Sequence, residues 1–166
     1  MKEKMNFNEI IRKYNLAILL VVFILISAIL SPNFLTLGNF LNLLQQASIP
    51  GIVAIGMTLV ILLGGIDLSV GSVLAFSGMI ASIIVEKMNG SGASILLGCL
   101  AGIAVGTAMG LLTGVLIARF NLPDFIASLA MMEIGRGAAL LTTSGNPVFG
   151  LGDAFHILGG GFLFGR

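Results

Sequence analysis

Gly64-Gly65-Ile66-Asp67-Leu68-Ser69-Val70-Gly71-Ser72 stands between two strongly apolar stretches. Paired glycines end a helix and free its backbone groups, which a chain in lipid tolerates only where protein or water satisfies them. A carboxylate at the centre of a span costs about 2.5–3.5 kcal/mol on insertion scales. Asp67 must therefore lie near the interface, face a wet cavity or pair with a donor. Three readings are open. Asp67 and Ser69 cap the helix that follows by accepting hydrogen bonds from its first amides; the break lines a polar path through the membrane; or Asp67 is an ion or proton site.

The surrounding composition decides the class. Hydrophobic residues make up 57% of the chain and charged residues 9%, against roughly 45–50% and 25% in soluble domains. Between Tyr14 and Ala118 only Asp67, Glu86 and Lys87 carry charge, so the solvent for this fold is lipid. The net charge of +1 offers no basic patch for nucleic acid. Cys99 is the single cysteine, which excludes an intrachain disulfide or a cysteine metal site and leaves it as a small packing residue. No metal site or cofactor is expected.

A helix needs about 20 residues to cross the hydrocarbon core. On that measure the chain reads as all-α, a polytopic transmembrane helix bundle with about five spans: 14–30, 41–63, 67–85, 93–118 and 124–143. Ser31-Pro32 closes the first. Pro50-Gly51 is a kink in the second, Glu86 to Gly92 is a polar turn, and Arg119-Phe120-Asn121 ends the fourth. Phe34 to Phe40 is short and amphipathic, and suits a segment lying along the membrane surface. Lys2, Lys4, Arg12 and Lys13 precede the first apolar run, but Ser31-Pro32-Asn33-Phe34 lacks a signal-peptide cleavage pattern. The first span is expected to stay. These four basic residues and Arg119 outweigh Lys87, which places a tail of residues 1–13 and the Gly64-Gly65 turn in the cytoplasm. Residues 144–166 are then an extracytoplasmic, glycine-rich loop containing Gly145, Gly150, Gly152 and Gly159-Gly160-Gly161.

The fourth span places Gly98, Gly102, Gly106, Gly110 and Gly114 at every fourth position. Small residues let helix backbones approach closely in lipid, where dispersion replaces the hydrophobic effect as the driving force. The ladder drifts about 40° per step around the helix, so different neighbours can pack on it in turn. In the fifth span Glu133 and Arg136 share a helical face, as a structural ion pair or as groups facing a polar cavity. Gln45, Gln46 and Ser48 enter the second span from its outer end, to contact a cargo or to bond neighbouring helices. His156 has no partner of catalytic type, and no phosphate-cradling G-x-x-x-x-G-K-[ST] run occurs. The residues describe no enzyme, and any use of ATP belongs to another polypeptide.

Gly56-Met57-Thr58-Leu59-Val60-Ile61 followed by Gly64 to Ser72 resembles the signature of the permease subunits of ribose- and other monosaccharide-type bacterial ABC importers. Ser31-Pro32-Asn33-Phe34 with Asn39-Phe40-Leu41-Asn42, Phe125-Ile126-Ala127 through Arg136-Gly137, and Gly145-Asn146-Pro147-Val148 resemble further pieces in family order. The resemblance implies import of ribose or a similar monosaccharide across the bacterial inner membrane. It also implies three partners: a cytoplasmic ABC ATPase, a periplasmic or lipoprotein sugar-binding protein, and a second permease copy forming a dimer. The substrate path would then run by Gly64, Gly65, Asp67, Ser69 and Gly71, with Gln45, Gln46, Glu133 and Arg136 as further candidates. Family members are about twice as long, so the chain reads as a truncated or split permease. A secondary transporter or channel with an ion site at Asp67 or Glu133, and a non-transporting membrane fragment, are the alternatives.

Overall fold

The computed structural model describes residues 7–152. Lys2, Lys4, His156 and Gly159 to Gly161 lie outside them. The described chain forms five α-helices, α1 (Phe7–Leu30), α2 (Leu37–Leu62), α3 (Val70–Lys87), α4 (Gly92–Phe120) and α5 (Asp124–Thr143), each long and apolar enough to cross a membrane. The fold is all-α, as the apolar spacing predicts. It divides into two compact units, Met1–Ala54 and Ile55–Arg166.

In the first unit, α1 starts before Tyr14, whose backbone (φ −115, ψ 20) interrupts the helical geometry. Lys13 Nζ sits 5.5 Å from the centre of the Tyr14 ring, a cation–π contact that combines a charge and an amphipathic ring where the apolar run begins. The turn after α1 is tied by side chains. Thr36 Oγ1 donates to the Asn33 carbonyl at 2.7 Å and accepts from the Asn39 amide at 3.3 Å, and Asn39 Nδ2 donates to the Phe34 carbonyl at 2.7 Å. Thr36 thus caps α2. Phe34 to Phe40 is consequently no separate surface segment: Leu37 to Phe40 is the first turn of α2. Pro50 lies inside α2, where its missing N–H leaves the Gln46 carbonyl without a helical donor.

The second unit centres on α3, which packs against both α4 and α5. Its core is built of small groups: Ser94 and Ser128 are fully buried and Ala127, Met131 and Val85 nearly so. Such a core fits lipid, where close backbone approach replaces large apolar side chains as the source of cohesion. The glycine ladder of α4 divides. A Cβ on Gly98 would come within 2.8 Å of the Ala81 carbonyl oxygen and 2.9 Å of Val85 Cγ2, and one on Gly102 within 3.2 Å of the Ser77 carbonyl oxygen. A Cβ on Gly106 would lie 3.2 Å from Ser77 Oγ. Gly110 and Gly114 have open space beside them. The reason is the drift anticipated from the spacing: after two turns on α3, the stripe has rotated off it. On α5 the corresponding close approach is at Gly135, where a Cβ would lie 3.2 Å from Ser72 Cβ and 3.1 Å from Met109 Cε.

The turns follow from local chemistry. Asn89 (φ 56) and Ser144 (φ 52) hold left-handed conformations just past α3 and α5. The residue after each donates back into the helix, Gly90 N–H to the Val85 carbonyl and Gly145 N–H to the Leu140 carbonyl, both at 2.9 Å, which satisfies carbonyls the helix ends would orphan. Ser91 Oγ caps α4 by accepting from the Ser94 amide at 3.2 Å. The irregular residues after α5 return to the α3–α4 turn, since a Cβ on Gly90 would meet the Leu151 carbonyl oxygen at 2.8 Å.

Gly98→Val forces a branched side chain into the Ala81 backbone and should lower stability by about 1–3 kcal/mol, whereas Gly110→Val should change it little. Unfolding of the purified chain in mixed micelles measures both. Equal losses would show that the α3–α4 register is wrong.

Candidate functional site

The break between α2 and α3 begins as a helix end of a recognised kind. Gly64 takes φ +79, Gly64 N–H donates to the Ile61 carbonyl at 2.9 Å and Gly65 N–H to the Val60 carbonyl at 3.0 Å. This is the Schellman arrangement, and its left-handed residue is the reason a glycine stands at 64. Gly65 serves a different need. A Cβ there would lie 3.3 Å from Val60 Cγ1 and 3.5 Å from Asp124 Oδ2, so its bare Cα lets the α5 carboxylate come close.

Asp67 turns the chain into α3. Its Oδ1 accepts from both the Ser69 amide, at 2.8 Å, and the Ser69 hydroxyl, at 2.6 Å. The expectation that Asp67 and Ser69 accept from the first amides of the helix holds only in part. Asp67 receives the amide of Ser69, the residue preceding α3, while the Ser69 side chain caps nothing and its hydroxyl is directed back to Asp67. That tight turn keeps residues 67–69 out of the helix, and α3 begins at Val70 instead of near Asp67. Ser69 is buried and Asp67 half-buried. Asp67 Oδ2 takes no hydrogen bond among the described residues.

The middle of the break is held from α5. Ile66 N–H donates to Asp124 Oδ2 at 2.5 Å, and Ser128 Oγ donates to the Ile66 carbonyl at 3.2 Å, sharing its proton with the Phe125 carbonyl at 3.3 Å. Ile66 is thereby fixed through both its N–H and its C=O. Asp124 and Ser128 are one helical turn apart and so present their oxygens on one face. Asp124 also opens α5, where the N-terminal end of the helix dipole favours a negative charge. These two residues escaped the sequence reading, in which Asp124 was only the start of a span. The available signal was a carboxylate followed one turn later by a hydroxyl, at the head of an apolar helix.

Among the other sequence candidates, Gly71 and Arg136 meet in one place. Leu68, Gly71, Ser72, Ala75, Met132 and Arg136 line a groove of about 420 Å³ between α3 and α5. Glu133 is exposed and is not part of that lining. Among the described residues no ion pair joins it to Arg136, although the two stay three positions apart on α5. The packed face of α5 carries Ala127, Met131, Gly135 and Ala139; Glu133 points about 160° from Gly135 and Arg136 about 100°. Gln45 and Gln46 are exposed on α2 in the first unit, where the Gln45 carbonyl accepts from Ser48 Oγ at 2.7 Å.

Replacing Asp124 by Ala removes the acceptor of the Ile66 amide and should cost about 1–3 kcal/mol, while Asp124→Asn, which keeps an acceptor, should cost less. Hydrogen exchange at Ile66 reads this directly: exchange as slow in Asp124→Ala as in the parent chain would mean the contact does not hold the break.

Residues 39–158 match the family described as branched-chain amino acid transport system / permease component. The chain is 48% identical over 131 residues to the ribose import permease protein RbsC of Escherichia coli (strain K12), covering 79% of this chain and 40% of that protein. It is 41% identical over 166 residues to the RbsC protein of Bacillus subtilis (strain 168), covering 99% and 50%. It is 40% identical over 150 residues to the L-arabinose ABC transporter permease protein AraH of Azospirillum brasilense, covering 89% and 43%. The chain thus spans half or less of the length of these relatives. No solved structure matches it. With five helices able to cross a membrane and this match over most of its length, the chain belongs to the ABC-transporter permease family that includes the monosaccharide permeases, and is a multi-pass protein of the bacterial inner membrane.

Proposed function

We propose that the chain acts as a membrane permease subunit in the ATP-driven import of ribose or a similar monosaccharide. The observation that carries this reading is the break at Gly64 to Ser69, which is fixed from α5 through Ile66 while Asp67 Oδ2 takes no hydrogen bond among the described residues. A polar, rigidly held interruption between apolar helices is what a cargo with many hydroxyls needs: acceptors and donors at fixed positions beside a path that lipid does not enter. Gly64, Gly65, Asp67, Ser69 and Gly71 form that interruption. Arg136 borders the groove that continues from it, and Gln45, Gln46 and Glu133 are further candidates for the path. The names of the relatives, ribose import and L-arabinose permeases, support the sugar class.

In this reading residues 1–13 and the Gly64-Gly65 turn face the cytoplasm, following the excess of basic residues at the N-terminus and at Arg119. Residues 144–166 face outward. ATP hydrolysis belongs to a cytoplasmic ABC ATPase, cargo arrives on a periplasmic or lipoprotein sugar-binding protein, and a second permease copy completes the membrane part.

The test is uptake of labelled D-ribose into vesicles holding the permease with its ATPase and binding protein. Asp67→Ala should reduce uptake by about tenfold or more, as expected of losing a part-buried charge-assisted contact, with membrane insertion unchanged. Uptake that survives ATP depletion and stops when the proton gradient is collapsed would reject ATP-driven import in favour of a secondary transporter.

A further inference from the structure

Among the described residues Arg136 is a cation that no ion pair neutralises. Counting from Asp124 along α5 it lies about 18 Å into a helix of about 30 Å, at a depth where an unpaired guanidinium in hydrocarbon is strongly disfavoured. Among the described residues no carboxylate pairs with it, and the groove it borders carries no acid: the polar members of the lining are Ser72 and the guanidinium, beside the bare backbone at Gly71. Glu133, the nearest acid on α5, lies about 60° around the helix from Arg136 and does not line the groove. A site built this way is hydrated or holds an acceptor-rich molecule, and its charge is of one sign.

We infer that Arg136 makes the α3–α5 groove a hydrated subsite that selects by charge, favouring anionic or hydroxyl-rich neutral molecules and turning away cations. Its five N–H donors fit oxygen acceptors in pairs, and Ser72 adds a hydroxyl on the facing helix. Gly71 leaves room beside them. This inference rests on the transport reading above, for which the groove would be a specificity-determining stretch of the path, but its test does not require transport.

Cys99 is the single cysteine and is exposed, so Cys99→Ser gives a background in which Ser72→Cys or Ala75→Cys places one thiol in the groove. The 166-residue chain in lipid nanodiscs is treated with an anionic sulfonatoethyl and a cationic trimethylammonioethyl methanethiosulfonate, and the two labelling rates are compared. With Arg136 present the anionic reagent should be favoured, and Arg136→Gln should reduce the anion-to-cation rate ratio by about tenfold, the effect of removing a unit charge a few ångströms away in a wet groove. Arg136→Lys should retain the preference, which separates loss of charge from misfolding. A ratio unchanged in Arg136→Gln overturns the inference. So does failure of both thiols to react, which would place lipid or a packed partner in the groove. If labelling fails while Asp67→Ala still abolishes ribose uptake, the groove assignment falls and the transport reading stands.

Discussion

A chain that leaves the helix between two membrane-crossing segments must find partners for the peptide groups it frees, and here one residue carries most of that burden. The N–H of Ile66 is taken by Asp124 and its C=O by Ser128, so the start of α5 stabilises the interruption between α2 and α3. The rest of the local architecture is arranged around these bonds. Gly65 admits the Asp124 carboxylate, Gly64 supplies the left-handed turn, and Asp67 folds the chain over Ser69 so that α3 can begin.

The same economy governs the packing. In water a bundle gathers large apolar side chains at its centre; in lipid those side chains gain nothing by turning inward, and they remain outside. The buried residues include Ser94, Ser128, Thr113, Ala127 and Ala139, with Val85, Ile95 and Met131 as larger members, and the helices approach closely where Gly98, Gly102 and Gly135 remove Cβ atoms. The part of the ladder that leaves α3 remains smooth at Gly110 and Gly114. Polar side chains in this core differ in how they are met: Thr113 Oγ1 donates to the Met109 carbonyl at 3.0 Å, whereas the buried Ser77 Oγ has no hydrogen-bond partner among the described residues.

Much of this was legible in advance. Apolar runs of spanning length between Ser31-Pro32, Gly64-Gly65, Glu86-to-Gly92 and Arg119-to-Asn121 mark the helices, because each breaker acts on its own backbone within a few residues. Helix starts were harder. Those of α2 and α3 depend on side chains of Thr36 and Asp67 choosing among nearby amides, and hydropathy is blind to that choice. The association of Glu133 with Arg136 rested on spacing, but a neighbouring position on a helix is not a contact: Arg136 lines the α3–α5 groove and Glu133 does not.

The sequence by itself determined the class of the molecule, since the solvent a helix needs is set by composition, and it located the interruption, since glycine pairs and a carboxylate act where they stand. Only the tertiary structure decided what holds that interruption together. Ile66 is separated from Asp124 and Ser128 by 58 and 62 positions, and no local periodicity reaches so far. Hydrogen bonds require atoms within about 3 Å, and it is the packing of α5 on α3, through Gly135 against Ser72, that brings those atoms together.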